Sequence, residues 1–321
     1  RRGRLPGRSL HPGRLTLRFD TISFLSDYGT TDEFVGVVKS VIRSIAPDTT
    51  VVDITHDIRP YDIKGAALTL ARSVQYLCPG VVLAVVDPGV GTDRRAIAIE
   101  VGDGQSYLVG PDNGVLASAV GMVGGATAAV ELTDPEYQLA APGPTFAGRD
   151  IFGPAAAHLC AGVPLDALGA RVDPAELVPG IVPLPRDEAG AIVGEILWVD
   201  RYGNCQLNID PEAVEAWGER VQLRWTKPRE GVRTAVRAGA YGDLEPAQVG
   251  LIVDSYGLLA VSVRTGSAAE TLGLVAGDEL ALVPLDDRAD DAGDGADDGA
   301  GDGDTTQGIT SPVALHPRRP S

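Results

Sequence analysis

Asp87 closes an apolar run, Val81 to Val86, and is followed at once by Pro88, Gly89, Val90 and Gly91. A carboxylate at the end of a buried strand, on a glycine-rich turn, can orient a water molecule and accept its proton. The carboxyl ends of strands are also where open α/β sheets place their ligands. Arg94 and Arg95 follow seven and eight residues later, close enough to fold back on the acid. The same spacing suits a tight turn with a surface ion pair. Asp-Pro-Gly-x-Gly is neither a dinucleotide fingerprint nor a P-loop, since the lysine is missing.

Three further clusters carry chemistry of their own. Ser26-Asp27-Tyr28-Gly29-Thr30-Thr31-Asp32 follows a first apolar run. Asp27 there can accept two hydrogen bonds from a ribose diol, while Thr31 or Asp32 suits a helix cap. Between Asp53 and Asp62, Tyr61 suits stacking on a flat ligand or covering the core, and His56 fits a structural role better than a catalytic one. Asp200-Arg201-Tyr202-Gly203-Asn204 puts an acid, an aromatic and an amide in one tight loop. That set suits an adenine edge, an amino-acid head group or a plain turn.

The elements that must hold these clusters alternate. Strands are expected at Thr21–Leu25, Thr50–Ile54 and Val81–Val86, with helices at Asp32–Ile45 and Ile63–Leu77 between them. Strand, helix, strand, helix, strand argues for parallel pairing with right-handed crossovers. Ala96–Val101 and Ser106–Val109 flank Gly102-Asp103-Gly104 as a hairpin, Asp112-Asn113-Gly114 turns into a short helix, and Asp150–Ala161 reads as another helix. The texture changes at Pro179, Pro183 and Pro185. Beyond them seven short strands, from Ala191–Val199 to Glu279–Val283, predict a small all-β domain, sandwich or barrel. The expected organisation is a Rossmann-like α/β domain over residues 21–183 and a β domain over 190–284. A basic tail (1–20, six arginines) precedes them, and an acidic tail (285–321, nine aspartates between Asp286 and Asp304) follows. Neither tail has the apolar content to offset the entropy of ordering it.

Composition sets bounds. With 321 residues and 44% hydrophobic content there is ample core. A net charge of −17 argues against nucleic acid, where a basic footprint is expected. Three scattered cysteines, Cys78, Cys160 and Cys205, form no CxxC pair, so neither a disulfide framework nor a zinc site is expected. A reducing cytoplasm is the simplest home. No apolar run approaches a membrane-spanning length.

Seven segments then occur in order: Phe24-Leu25-Ser26-Asp27-Tyr28-Gly29, Asp53-Ile54-Thr55-His56-Asp57-Ile58, Val85-Val86-Asp87-Pro88-Gly89-Val90-Gly91-Thr92, Gly110-Pro111-Asp112-Asn113-Gly114, Thr145-Phe146-Ala147-Gly148-Arg149-Asp150, Asp200-Arg201-Tyr202-Gly203-Asn204 and Gly266-Ser267-Ala268-Ala269. Together they resemble the S-adenosyl-L-methionine hydroxide adenosyltransferase family, whose relatives include a fluorinase and a chlorinase. The resemblance covers about Thr21 to Pro284. It implies an N-terminal α/β domain, a C-terminal β-barrel and a homotrimer with the substrate between the N-domain of one subunit and the C-domain of the next. It also implies an enzyme that hydrolyses S-adenosyl-L-methionine to adenosine and L-methionine by in-line attack of water at C5′, with no metal or redox cofactor.

Residue by residue, the resemblance makes Asp87 and Arg94 catalytic, positioning and activating the water. It places Asp27 on the ribose hydroxyls, Tyr61 near the sugar and methionine, and Val90, Phe146 and Gly148 around the nucleophile. Asp200 would grip the methionine ammonium, with Tyr202, Asn204, Tyr241 and Ser255 around adenine and methionine. The halide-using branch lacks an acid at the position of Asp87, so Asp87 favours water. Two departures stand out. The hydrolase pattern has a histidine where this chain has Ala147, and Arg264 stands where hydrolases usually carry Asn. The first leaves three readings: a hydrolase that manages without the histidine, a pocket with room for another nucleophile such as halide, or an impaired protein that binds S-adenosyl-L-methionine or adenosine.

Overall fold

The computed structural model describes residues 18–227 and 229–285. The acidic-tail segment from Asp286, and the basic tail up to Leu17, lie outside the described residues. The chain is already packed at Arg18, whose backbone N–H donates to Cys160 O and whose guanidinium lies 4.9 Å from the Tyr107 ring centroid.

A seven-stranded mixed sheet forms the first half. Its elements in chain order are β1 (Thr21–Ser26), α1 (Phe34–Ile45), β2 (Thr50–Thr55), α2 (Ile63–Val74), β3 (Val81–Val85), β4 (Ala96–Val101), β5 (Ser106–Pro111), α3 (Ala117–Met122), β6 (Ala126–Leu132), a π-helical turn (Gly148–Phe152) continuing into α4 (Gly153–Cys160), and β7 (Gly169–Val172). The strand order is β2-β1-β3-β5-β4-β6-β7. β2, β1, β3 and β5 run parallel, as the alternation with helices requires, while β4, β6 and β7 are added antiparallel. β6 and β7 carry weak sequence signals and complete the sheet beyond the expected strands.

Alternation along the strands sends side chains to two cores. Ile22, Phe24, Leu83 and Val85 pack on the α1 and α4 side, and Leu25, Val82, Ala84 and Leu108 on the α2 and α3 side. Both faces being covered explains the continuous apolar runs of β1 and β3. The expected cap of α1 at Thr31 or Asp32 is corrected: the helix starts at Phe34, after Glu33, with no side-chain cap bond. α2 does have one, Gly65 N–H donating to Asp62 Oδ1 at 2.8 Å.

The second half is β8 (Arg186–Glu188), β9 (Ala191–Val199), β10 (Cys205–Leu207), β11 (Arg220–Trp225), β12 (Gly231–Arg237), β13 (Val249–Val253), β14 (Leu259–Val263), the short helix α5 (Ala268–Leu272) and β15 (Glu279–Pro284). The order β8-β9-β15-β11-β12-β13-β14-β10 closes because β10 also pairs with β9. Seven strands thus form a barrel, which removes the exposed edges a sandwich would leave. Lys64 of α2 pairs with Glu195 of β9, and the Arg72 guanidinium lies 4.1 Å from the Trp198 ring centroid, so α2 touches the barrel through charge and stacking. Among the described residues no helix is long and apolar enough to cross a membrane.

Candidate active site

The parallel strands β1, β2 and β3 end side by side. Their carboxyl ends deliver Asp27, the Asp53–His56 segment and Asp87 to one edge of the sheet. Asn113 donates from Nδ2 to Val86 O at 2.9 Å and fixes the end of β3 where the chain turns. Asp87 and Arg94 then meet in a two-pronged ion pair. Arg94 Nε donates to Asp87 Oδ1 at 2.8 Å, and the second guanidinium nitrogen donates to Oδ2. Both side chains are nearly enclosed, 6% and 14% exposed. The paired fork geometry gives orientation as well as energy. Of the two arginines expected to fold back on Asp87, only Arg94 does so. Arg95 turns to Asp112, 2.8 Å from Nε to Oδ2, and to Glu176 O.

Three aromatic rings gather around the turn after β1. Phe34 and Phe146 meet edge to face at 5.0 Å, and Tyr28 lies 5.7 Å from each. Phe152 lies under the Arg94 guanidinium at 5.1 Å. Val90 packs against the same core. Gly148 is buried, and a Cβ there would overlap the Tyr28 hydroxyl. Ala147 is buried beside it, 7% exposed. With Arg94, Gly91 and Pro144 it lines a cavity of about 600 Å³.

Asp27 and Tyr61 are joined through the Tyr61 backbone. The Tyr61 backbone N–H donates to Asp27 Oδ2 at 2.9 Å, while its ring is 73% exposed. Tyr61 holds φ of 69°, a left-handed conformation uncommon outside glycine. His56 is structural in its contacts: Nδ1 lies 2.7 Å from Ser26 Oγ and Nε2 lies 3.0 Å from Asp53 Oδ1. Burial alone would raise the Asp53 carboxyl, but the hydrogen bonds of Lys39 and His56 hold it below its ordinary value.

The remaining expected residues gather elsewhere. Asp200, Tyr202, Asn204, Tyr241 and Ser255 all line one cavity of about 680 Å³ on the barrel. Trp198, Gln206, Asp254 and Tyr256 line it too; sequence reading misses them because single residues on barrel strands carry no local motif. Asp200 is heavily engaged by its own loop. Oδ1 accepts from the N–H groups of Tyr202 (2.8 Å) and Asn204 (2.9 Å), and Oδ2 from Asn204 Nδ2 (2.8 Å). Burial, then Asp200 and Asp254, push the Tyr241 hydroxyl above its ordinary value. Arg264 donates to Leu244 O at 2.9 Å and is absent from the cavity lining, which Ala260, Val263, Thr265 and Gly266 complete. No residue of the sheet half lines this cavity, and no barrel residue lines the one at Arg94.

An α/β sheet domain thus carries a buried carboxylate–guanidinium pair, and the seven-stranded barrel joined to it carries a polar aromatic cavity. The chain belongs to the SAM hydroxide adenosyltransferase family: residues 22–169 match the model of its N-terminal domain and 194–281 that of its C-terminal domain. A relative from Salinispora tropica, named (R)-S-adenosyl-L-methionine hydrolase, is 45% identical over 259 residues, 81% of this chain and 96% of its own. One of the same name from Thermus thermophilus is 39% identical over 273 residues, 82% and 99% of the two chains. The solved structure of an uncharacterized conserved protein from Thermotoga maritima superposes with a TM-score of 0.74 at 34% identity, covering 82% of this chain and 99% of that one. Fluorinases are more distant; the one from an Actinoplanes species is 28% identical over 283 residues, 80% and 95% of the chains.

Proposed function

We propose that this chain is an enzyme that hydrolyses S-adenosyl-L-methionine to adenosine and L-methionine by in-line attack of water at C5′. The enclosed Asp87–Arg94 pair is the observation that carries the reading, in a chain whose nearer relatives are named for this hydrolysis. The sulfonium leaves as a neutral thioether, so the leaving group needs no acid, and the reaction needs no metal or redox cofactor. What it needs is a nucleophile held in line. Asp87 accepts the water's proton, and Arg94 favours negative charge on the attacking oxygen. A carboxylate at that position repels a halide ion, which weighs against a halide-using adenosyltransferase.

Asp27 is assigned to the ribose hydroxyls. Phe146, Gly148 and Val90 wall the nucleophile, with Tyr61 at the rim. Asp200, Tyr202, Asn204, Tyr241 and Ser255 take the adenine and methionine ends. Arg94 lines one cavity and the barrel residues line another, and no residue lines both. We therefore assign the complete site to a subunit interface in a homotrimer, a head-to-tail contact that closes into a ring. Three free cysteines, one of them exposed, suit a reducing cytoplasm.

The test is chromatography of the products from purified protein and S-adenosyl-L-methionine, with and without chloride or fluoride. Equal adenosine and methionine, indifferent to halide, is expected. Halogenated deoxyadenosine would assign the halide branch. Unchanged substrate with tight adenosine binding would make the protein a binder, with Ala147 as the cause. Assayed at substrate well below KM, mixing a variant disabled at Asp87 with one weakened at Tyr241 should restore part of the activity if sites are shared between subunits, and none if each chain is self-sufficient.

A further inference from the structure

The Tyr28 hydroxyl belongs to none of the roles assigned above. The residue sits in the turn after β1, and the turn is fixed from several sides. Tyr28 N–H donates to Ser26 Oγ at 3.3 Å, Ser26 Oγ meets His56 Nδ1 at 2.7 Å, and Gly29 N–H donates to His56 O at 2.8 Å. The ring is held edge-on by Phe24 at 6.5 Å and Phe146 at 5.7 Å. Its polar end is thereby driven toward Gly148, whose missing Cβ makes the space for it and whose N–H approaches the oxygen. Ala147, in the same turn, brings no polar atom to this spot.

The electrostatics agree with the geometry. Burial, then the charges of Asp27 and Asp87, raise the phenol far above its ordinary value, against the opposing pull of the Gly148 N–H and Arg94. The hydroxyl therefore stays protonated and neutral, and the register of β1 on β3, Ser26 beside Val85, brings the turn of Tyr28 alongside that of Asp87. Among the described residues no hydrogen bond accepts its proton.

We propose that Tyr28 is a catalytic residue that holds the attacking water jointly with Asp87. Granting the hydrolase reading on which this rests, the water donates one O–H to the Asp87 carboxylate and the other to Tyr28 Oη. Both protons then point away from C5′, and a lone pair faces it. The O–C5′ bond forms as C5′–S breaks, and the electron pair of the broken bond goes to sulfur, which becomes the thioether of methionine. The water's proton passes to Asp87 and on to solvent. Tyr28 keeps its own proton throughout and acts by orientation alone.

Tyr28→Phe removes one oxygen and keeps the ring among Phe24, Phe34 and Phe146. Single-turnover rates and adenosine affinity by calorimetry are measured on both proteins, with thermal melts to confirm folding. Loss of one preorganised hydrogen-bonding group costs on the order of 10²-fold in kcat, and that fall is expected with adenosine affinity unchanged. An unchanged kcat overturns the proposal. So does weaker adenosine binding that accounts for the whole loss in kcat/KM, since Tyr28 would then merely pack. Gly148→Ala, whose methyl would overlap the hydroxyl and press on the edge of the ring, should reproduce the kcat loss. A wild-type protein that forms no adenosine overturns the hydrolase reading itself and this role with it, whereas equal turnover by both proteins sinks only the role of Tyr28.

Discussion

The two half-sites are built on opposite plans. On the sheet, Asp87 and Arg94 are enclosed, bound to each other at both prongs, with the Phe152 ring under the guanidinium. On the barrel, the cavity is lined by tyrosines that remain open, Tyr202 at 77% and Tyr241 at 46% exposed. A charge pair that must act on one water has to be preorganised before substrate arrives. A surface that takes a flat base and an amino acid gains from apolar area not yet covered. On the proposed reading, rate belongs to one half and affinity to the other, and substitutions should separate them.

The largest effect belongs to Asp87→Asn. The amide keeps the shape and loses the charge and the basicity, so kcat should fall by about 10²–10⁴-fold, the usual worth of an acid–base group. Calorimetric adenosine binding should remain near wild type. The change also leaves the Arg94 guanidinium without its counter-charge in an enclosed site, which is typically costly by about 3–5 kcal/mol, so the melting temperature should drop as well. A variant that keeps its rate would end the assignment of chemistry to the sheet half.

Tyr241→Ala should do the reverse. It strips ring area from the barrel cavity without touching Asp87 or Arg94. An aromatic ring in a binding site is worth about 1–3 kcal/mol in stacking on a base, so KM should rise by about tenfold or more with single-turnover rate at saturation nearly unchanged. If kcat falls instead and KM holds, the division between the halves is wrong.

How far these halves were legible in the sequence differs for a physical reason. β1 and β3 are buried on both faces and read as apolar runs, so Asp27 and Asp87 at their ends could be placed at once. The helix alternation gave the parallel pairing of the same strands. β6 and β7 escaped because alanine-rich Ala126–Leu132 and four-residue Gly169–Val172 lack a clear period. Spacing alone left the partner of Asp87 open between Arg94 and Arg95, since a turn of this length lets either reach back, and only the family resemblance singled out Arg94; the antiparallel pairing of β4 with β5 directs Arg95 to Asp112 instead. Tyr28 stood in a quoted motif yet carried no signal, because its hydroxyl acquires a place only when Gly148, some 120 residues later, packs against it. The barrel cavity is similar: Trp198, Gln206 and Tyr256 converge only on closure of the barrel.

The smallest effect separates the halves by acidity rather than by substrate. Among the described residues, histidine occurs only in the sheet half, at His56 and His158. His158 lies in α4, directly after the turn that carries Ala147 and Gly148, with its ring 5.0 Å from Tyr137. Burial lowers its pKa below the ordinary 6.5, against a weaker opposing pull from Glu136. Above pH 6.5 the imidazole is neutral folded or unfolded and contributes nothing to the pH dependence. As pH falls through 6.5 the unfolded chain takes up the proton first, so folding stability declines until the folded state's own pKa is passed. Melting temperatures of the wild type should therefore fall between pH 7 and 5, and His158→Gln should fall less steeply over the same window. The difference should appear in the sheet half, as faster amide exchange in α4 at the acid end with the strands of the barrel unaffected. Equal slopes for the two proteins would show that the charge on His158 does not couple to folding, and that α4 gives the turn behind Ala147 no sensitivity to acid.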